Sequence, residues 1–122
     1  MLLDSNLIIY ASKPGYDDLR NWMSHQPICV SALSQLEVLG YHRLTQEDRR
    51  FFVDFFSALP VLPITSEVID QAIALRQQRR MSLGNATIAA TALVNNLPIA
   101  THNGSDFRWI PNLVVIDPIN KM

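Results

Sequence analysis

The sequence predicts an α/β domain built on a short and mainly parallel central sheet of about five strands. Three observations predict it. Short apolar runs bounded by proline or polar residues recur along the chain. Segments with helical periodicity separate them. The runs lack the alternation of a half-solvated sheet, as expected of parallel strands covered on both faces. The length of 122 residues suits one domain over 1–122, with no linker, repeat or low-complexity tract.

Leu2-Leu3 is the first strand, and Asp4 stands at its C-terminal end. Leu7 to Ala11 begins a helix that stops near Pro14-Gly15. Tyr16 to Ser24 forms the next, with Leu19, Trp22 and Met23 on one face. Pro27 to Val30 is the second strand, and Ser31 can cap a helix from Ala32 to about Arg43. Thr45-Gln46-Glu47-Asp48 resembles a capping box. It precedes Phe51, Phe52, Phe55 and Phe56, whose spacing makes one broad apolar face for the core or a partner. Val61 to Ile64 is the third strand, its ladder limited by Pro63. Ser66 can cap a helix with Val68, Ile69, Ala72, Ile73 and Leu75 as its stripe. Asn85 to Leu93 is a helix of small residues that can lie close to a sheet, and Asn95-Asn96 suits a left-handed exit. Leu97 to Thr101 and Leu113 to Ile116 are the last two strands.

The formal net charge is −1, so bulk charge gives no sign of nucleic acid. An enzyme acting on it would need local basic patches. The single cysteine, Cys29, sits inside an apolar run and reads as a buried small hydrophobe. It excludes an internal disulfide framework and suits a reducing cytoplasm. No signal peptide is visible, and no run approaches the ~20 apolar residues of a membrane span. A cytoplasmic protein is expected.

Functional groups of an open parallel sheet gather beyond the carboxyl ends of its strands. Asp4 lies just past the first strand, and Asp106 follows the fourth by a short loop. Glu37 lies one to two turns into the helix after the second strand, and Asn85 opens the helix leading to the fourth. Carboxylates brought together repel, by about 4 kcal/mol per pair at ~4 Å and an effective dielectric near 20. A divalent cation removes that cost, and magnesium accepts a few carboxylates while keeping several waters. Oxygen-only ligands argue against structural zinc. Each acid also has a plainer use: Asp4 as a helix cap, Glu37 as a solvated charge, Asp106 as a turn acid.

These segments resemble PIN domains, particularly the VapC-type toxins. Leu2-Leu3-Asp4-Ser5-Asn6 is similar to that family's opening motif. Ser31 to Val38 resembles the segment with its second acid, and Asn85 to Ala92 the helix that normally opens with its third. Thr101 to Phe107 resembles the loop with the last acid, and Ile110-Pro111-Asn112-Leu113 continues in the same manner. The resemblance implies a three-layer α/β/α domain, a metal-dependent endoribonuclease, the toxin of a type II toxin–antitoxin pair, and a homodimer. Asp4, Glu37 and Asp106 would then hold Mg2+ or Mn2+, which would activate a water for attack on an RNA phosphate. Ser5 would support the first carboxylate by hydrogen bonding. Asn103 would be a peripheral ligand or position a water. A cognate antitoxin protein and an RNA substrate are the implied partners.

The sequence departs from that pattern at Asn85, where the third motif normally has aspartate. Asparagine offers a carbonyl oxygen but no charge, and it is also a good helix N-cap. Three accounts fit: a near-isosteric replacement made to disarm a toxic protein, a natural site running on the remaining acids, or a non-catalytic RNA- or protein-binding module of the same fold. A phosphoacceptor receiver domain would want an acidic pair by the first strand and a late lysine, and neither is evident.

Arg76, Arg79 and Arg80 share a helix face at i, i+3, i+4. With Lys13, Arg49, Arg50 and Arg108 they could contact phosphates flanking the acids, or simply form a solvated helix end. His102 is expected to be a surface loop histidine rather than a general acid. Trp22 and Trp109 are expected to pack rather than to stack bases.

Overall fold

The strands of the computed structural model, which describes residues 1–119, are two residues long each: β1 (Leu2–Leu3), β2 (Val30–Ser31), β3 (Val61–Leu62), β4 (Ile99–Ala100) and β5 (Val115–Ile116). All pairings are parallel. β1, β4 and β5 form one ladder, and β2 and β3 another. A parallel bridge between Leu2 and Cys29 joins the two, with the Leu3 amide donating to the Cys29 carbonyl at 3.0 Å. The resulting order is β3-β2-β1-β4-β5. The order reverses between β1 and β4, which opens a crevice at their carboxyl ends.

Six helices cover this sheet: α1 (Ser5–Ala11), α2 (Asp17–Ser24), α3 (Ala32–Leu39), α4 (Gln46–Ser57), α5 (Ser66–Gln78) and α6 (Leu83–Val94). Adjacent strand residues point to opposite faces, and the core divides accordingly. Leu2, Cys29 and Ile99 face Val68, Leu75, Ala86 and Ala89 of α5 and α6. Leu3, Val30 and Ala100 face Leu7, Ile8, Leu19, Met23, Val38, Phe52 and Phe56. This is the expected three-layer arrangement. The alanines of α6 are at most 1% exposed, so that helix can approach the sheet closely. Phe52 and Phe56 are buried, with Phe51 and Phe55 packed against the same cluster, which assigns the phenylalanine face to the core. Burial also pushes the Cys29 thiol up from its ordinary value.

Several helix ends follow the sequence and others correct it. Ser31 and Thr45 cap α3 and α4, accepting from the Leu33 and Asp48 amides. Asn96 takes the left-handed exit with φ 54°. Thr65, not Ser66, caps α5, its hydroxyl accepting from the Val68 amide. α3 stops at Leu39 rather than near Arg43, because Gly40, a poor helix former, occupies the C-cap. No helix among the described residues is long and apolar enough to cross a membrane.

Candidate active site

Asp4 leaves β1 at the crevice and takes the N-cap position of α1, yet its side chain makes no capping bond. Its Oδ2 instead accepts from the Thr101 hydroxyl at 2.8 Å. Thr101 follows β4 and is fully buried. Its Oγ1 also accepts from the Asn103 amide at 3.0 Å. The hydroxyl's one proton is thereby directed to the carboxylate. Burial holds the Asp4 carboxyl above the usual carboxylate range, and the charges of Glu37 and Asp106 push the same way. The Thr101 bond and the Ser5 backbone oppose them. Thr101→Val should therefore leave a buried carboxylate oxygen and an amide without their partner. We expect a loss of about 1–3 kcal/mol in urea denaturation at neutral pH, and no loss would assign the hydroxyl no structural role.

Glu37 lies in the second turn of α3. Its Oε1 accepts from Ser5 Oγ at 2.8 Å, and Ser5 Oγ meets Ser34 Oγ at 2.8 Å. Ser5 thus supports the first carboxylate through its backbone, as expected, and the second through its hydroxyl. The reason is geometric: Ser5 opens α1 and reaches across to α3, where Ser34 and Glu37 stand one turn apart on one face.

Asn85 does not open its helix. Ser82 is the N-cap of α6, and its hydroxyl accepts from the Asn85 amide at 3.0 Å. Asn85 is the third helical residue, which leaves its side chain free to reach out. Nδ2 donates to Asp106 Oδ2 at 3.4 Å, a long bond. Asp106 ends a short 3-10 turn, Gly104–Asp106, and is exposed. Asn103 holds this turn through its backbone, its carbonyl accepting from the Asp106 amide at 3.0 Å.

A cavity of about 670 Å³ opens beside Asn85 and Asp106, walled by Arg76, Arg79, Arg80, Ser82 and Trp109 among others. The three arginines reach it by a different route than a shared helix face. α5 ends at Gln78, and Arg79 is extended at φ −159°, ψ 149°, because the chain turns there toward the Ser82 cap. The Arg79 guanidinium lies over the Trp109 ring at 5.4 Å, and Trp109 Nε1 donates to the Asp106 carbonyl at 3.1 Å. Lys13 and Glu37 line a second groove. Arg49 and Arg50 are exposed on α4, and neither lines these two cavities. The Arg108 guanidinium folds over Gly104. Trp22 packs half-buried against the α1–α4 side of the core.

The ion pairs among the described residues are Arg20 with Asp17 and His102 with Asp117, so none involves Asp4, Glu37 or Asp106. Neither do three His, Cys, Asp or Glu side chains come together as a ready chelating set among those residues. The acids share one electrostatic field without converging on one point. That donor set is all oxygen and lacks a countercharge. It suits a hard cation that keeps much of its water and takes one or two carboxylates directly. His102 Nδ1 meets Asp117 at 3.0 Å, and its ring lies edge-on to Tyr10, a structural placement at the sheet edge.

Sequence reasoning missed Thr101, Ser34 and Ser82. Only Thr101 had a usable signal, a polar residue closing an apolar strand beside the crevice.

Residues 1–113 match the PIN domain family. The chain belongs to it. This PIN domain is also similar to ribonuclease VapC of Rickettsia bellii (strain RML369-C), at 29% identity over 95% of this chain and 94% of that protein. Among solved structures, a toxin–antitoxin complex from Klebsiella pneumoniae has a chain 25% identical, with a TM-score of 0.79 and 96% of each chain covered. DNA-bound VapBC from Salmonella typhimurium gives a TM-score of 0.83 at 20% identity, again over 96% of each chain. At that identity the second likeness speaks for the fold alone.

Proposed function

We propose that this PIN domain is a divalent-metal-dependent endoribonuclease, acting in the cytoplasm as the toxin of a toxin–antitoxin pair. The observation that carries the reading is the placement of Asp4, Glu37, Asn85 and Asp106 around one crevice, beside an arginine-walled cavity. The similarity to ribonuclease VapC and to a toxin–antitoxin complex supports it. Asp4, Glu37 and Asp106 would hold Mg2+ or Mn2+, one or two of them directly and the rest through the ion's water shell. Such an ion supplies Lewis acidity, lowering the pKa of a bound water and offsetting charge on the phosphate. The chain's own residues do the rest. Thr101 and Ser5 fix the orientation of two carboxylates. Arg76, Arg79 and Arg80 hold the RNA backbone. Homodimerisation and a cognate antitoxin belong to the same proposal.

The test is cleavage of a labelled RNA with Mg2+ or Mn2+, against the same reaction in chelator. Cleavage only with metal supports the reading, and equal cleavage in chelator overturns the metal dependence. A second reading, a non-catalytic RNA- or protein-binding module, is favoured by one observation: Asn85 brings an amide donor to Asp106 in place of a fourth charge. It predicts RNA binding without cleavage under every metal condition. For the arginines, RNA affinity of the metal-free protein should fall steeply with salt. Arg79→Ala and Arg80→Ala should each reduce the slope of log affinity against log salt by about 0.7, the value for one phosphate contact on a single strand. A flat salt response would remove these residues from RNA binding.

A further inference from the structure

Gly84 is the second residue of α6, immediately before Asn85. Glycine in the first turn of a helix costs stability and here serves no turn, because no positive φ occurs at this position. Its reason lies outside the helix. A Cβ built at Gly84 would stand 2.9 Å from Glu37 Oε2, closer than a real Cβ approaches, with Glu37 Cδ at an ordinary contact distance of 3.6 Å. The opposite oxygen of that carboxylate, Oε1, is bonded to Ser5 Oγ at 2.8 Å, and Ser5 is backed by Ser34. The carboxylate is therefore held on one side by a hydroxyl pair and on the other by the bare Cα of Gly84. A side chain at position 84 would make it shift or turn against the Ser5 bond.

We propose that Gly84 is a positioning residue for Glu37, its missing side chain being the notch in which the carboxylate lies against α6. The consequence for metal binding rests on the reading of Glu37 as a metal ligand; the positioning itself does not. The two are separated by measuring both in the full chain. The first readout is the Glu37 carboxyl-carbon resonance in metal-free protein. Gly84→Ala should shift it, while Gly84→Ala leaves the resonances of the distant Asp17–Ser24 helix unchanged. An unmoved Glu37 resonance overturns the proposal. The second readout is Mn2+ affinity by calorimetry for the parent, Gly84→Ala, Glu37→Ala and the double variant. Gly84→Ala should weaken binding tenfold or more, and should add nothing once Glu37 is alanine. An additional loss of the same size in the double variant overturns the proposal, because Gly84 would then act through some other group. If Glu37→Ala leaves Mn2+ affinity unchanged, the metal reading of Glu37 fails while the resonance still decides the positioning. If Gly84→Ala fails to fold but the double variant folds, the collision with Glu37 is established by that rescue. If neither folds, the space at Gly84 is needed for something else and the proposal falls.

Discussion

Asn85→Asp should raise divalent-cation affinity and RNA cleavage together, by about 10- to 100-fold. Asn85 sits on the third position of α6, with its side chain directed at Asp106. An aspartate there adds a full negative charge at a helix N-terminus, where anions are favoured. It also removes the amide donor that now reaches Asp106 and replaces it with like-charge repulsion. The metal-free protein should therefore lose stability. Toward a cation the sign reverses. One unit-charge pair at ~4 Å is worth about 4 kcal/mol at an effective dielectric of 20, and repulsion among the acids takes back part of that. A net gain of roughly 1.4–2.8 kcal/mol corresponds to the stated range. Calorimetric titration with Mn2+ and single-turnover RNA cleavage on both proteins measure it. Equal affinities and rates would mean that the remaining acids suffice and that Asn85 is not a deficit.

Asp4→Asn should have the opposite pair of effects, removing cleavage while stabilising the metal-free fold. Asp4 is 3% exposed and holds its proton more tightly in the folded chain than an ordinary carboxyl does, chiefly because it is buried. Between the unfolded pKa and the raised folded pKa, the native state thus binds more protons than the unfolded state. Stability then falls as pH rises through that interval, and above the folded value the loss is complete. In chelator, the parent should be more stable at the acid end of this window than at neutral pH, so far as this group governs. The asparagine variant should be more stable than the parent at neutral pH and lack this contribution to the slope. Its amide oxygen can still accept from Thr101. Metal changes the ranking. A cation bound only by the folded parent adds about 2.7 kcal/mol at a concentration 100 times its Kd, so Mn2+ should raise the parent's melting temperature and leave that of the variant unmoved. Thermal melts of both proteins across pH, with Mn2+ and with chelator, read all of this. A variant that melts higher with Mn2+ by as much as the parent does would remove Asp4 from the metal site.

Much of this architecture was legible because local rules agreed with one another. An apolar pair followed by an acid marks the end of β1. Ser31 and Thr45 stand where a capping oxygen is needed, and the alanines of α6 announce close packing. Legibility failed where a residue answers to a partner far away in sequence. The helix expected from Asn85 begins instead at Leu83, behind the Ser82 cap, and takes in Gly84, against which Glu37 lies. Ser5 stands beside Asp4 in sequence, but α3 is what lies within reach of its hydroxyl. Helical spacing put Arg79 on the face of Arg76, whereas the turn toward Ser82 ends the helix at Gln78. Thr101 looked like the last residue of a strand, and its bond to Asp4 depends on a pairing that no local pattern encodes.

That pairing also governs when the site can exist. β1 is the central strand of the sheet, flanked by β2 on one side and β4 on the other. The first carboxylate is at residue 4, but its hydroxyl donor comes at residue 101 and the carboxylate bonded to Asn85 at residue 106. During synthesis, the nascent chain carries Asp4 long before it carries the Thr101 hydroxyl that orients it. A chain that stops short of β4 therefore has no assembled crevice, and the site is complete only once residues 101 to 106 have been made.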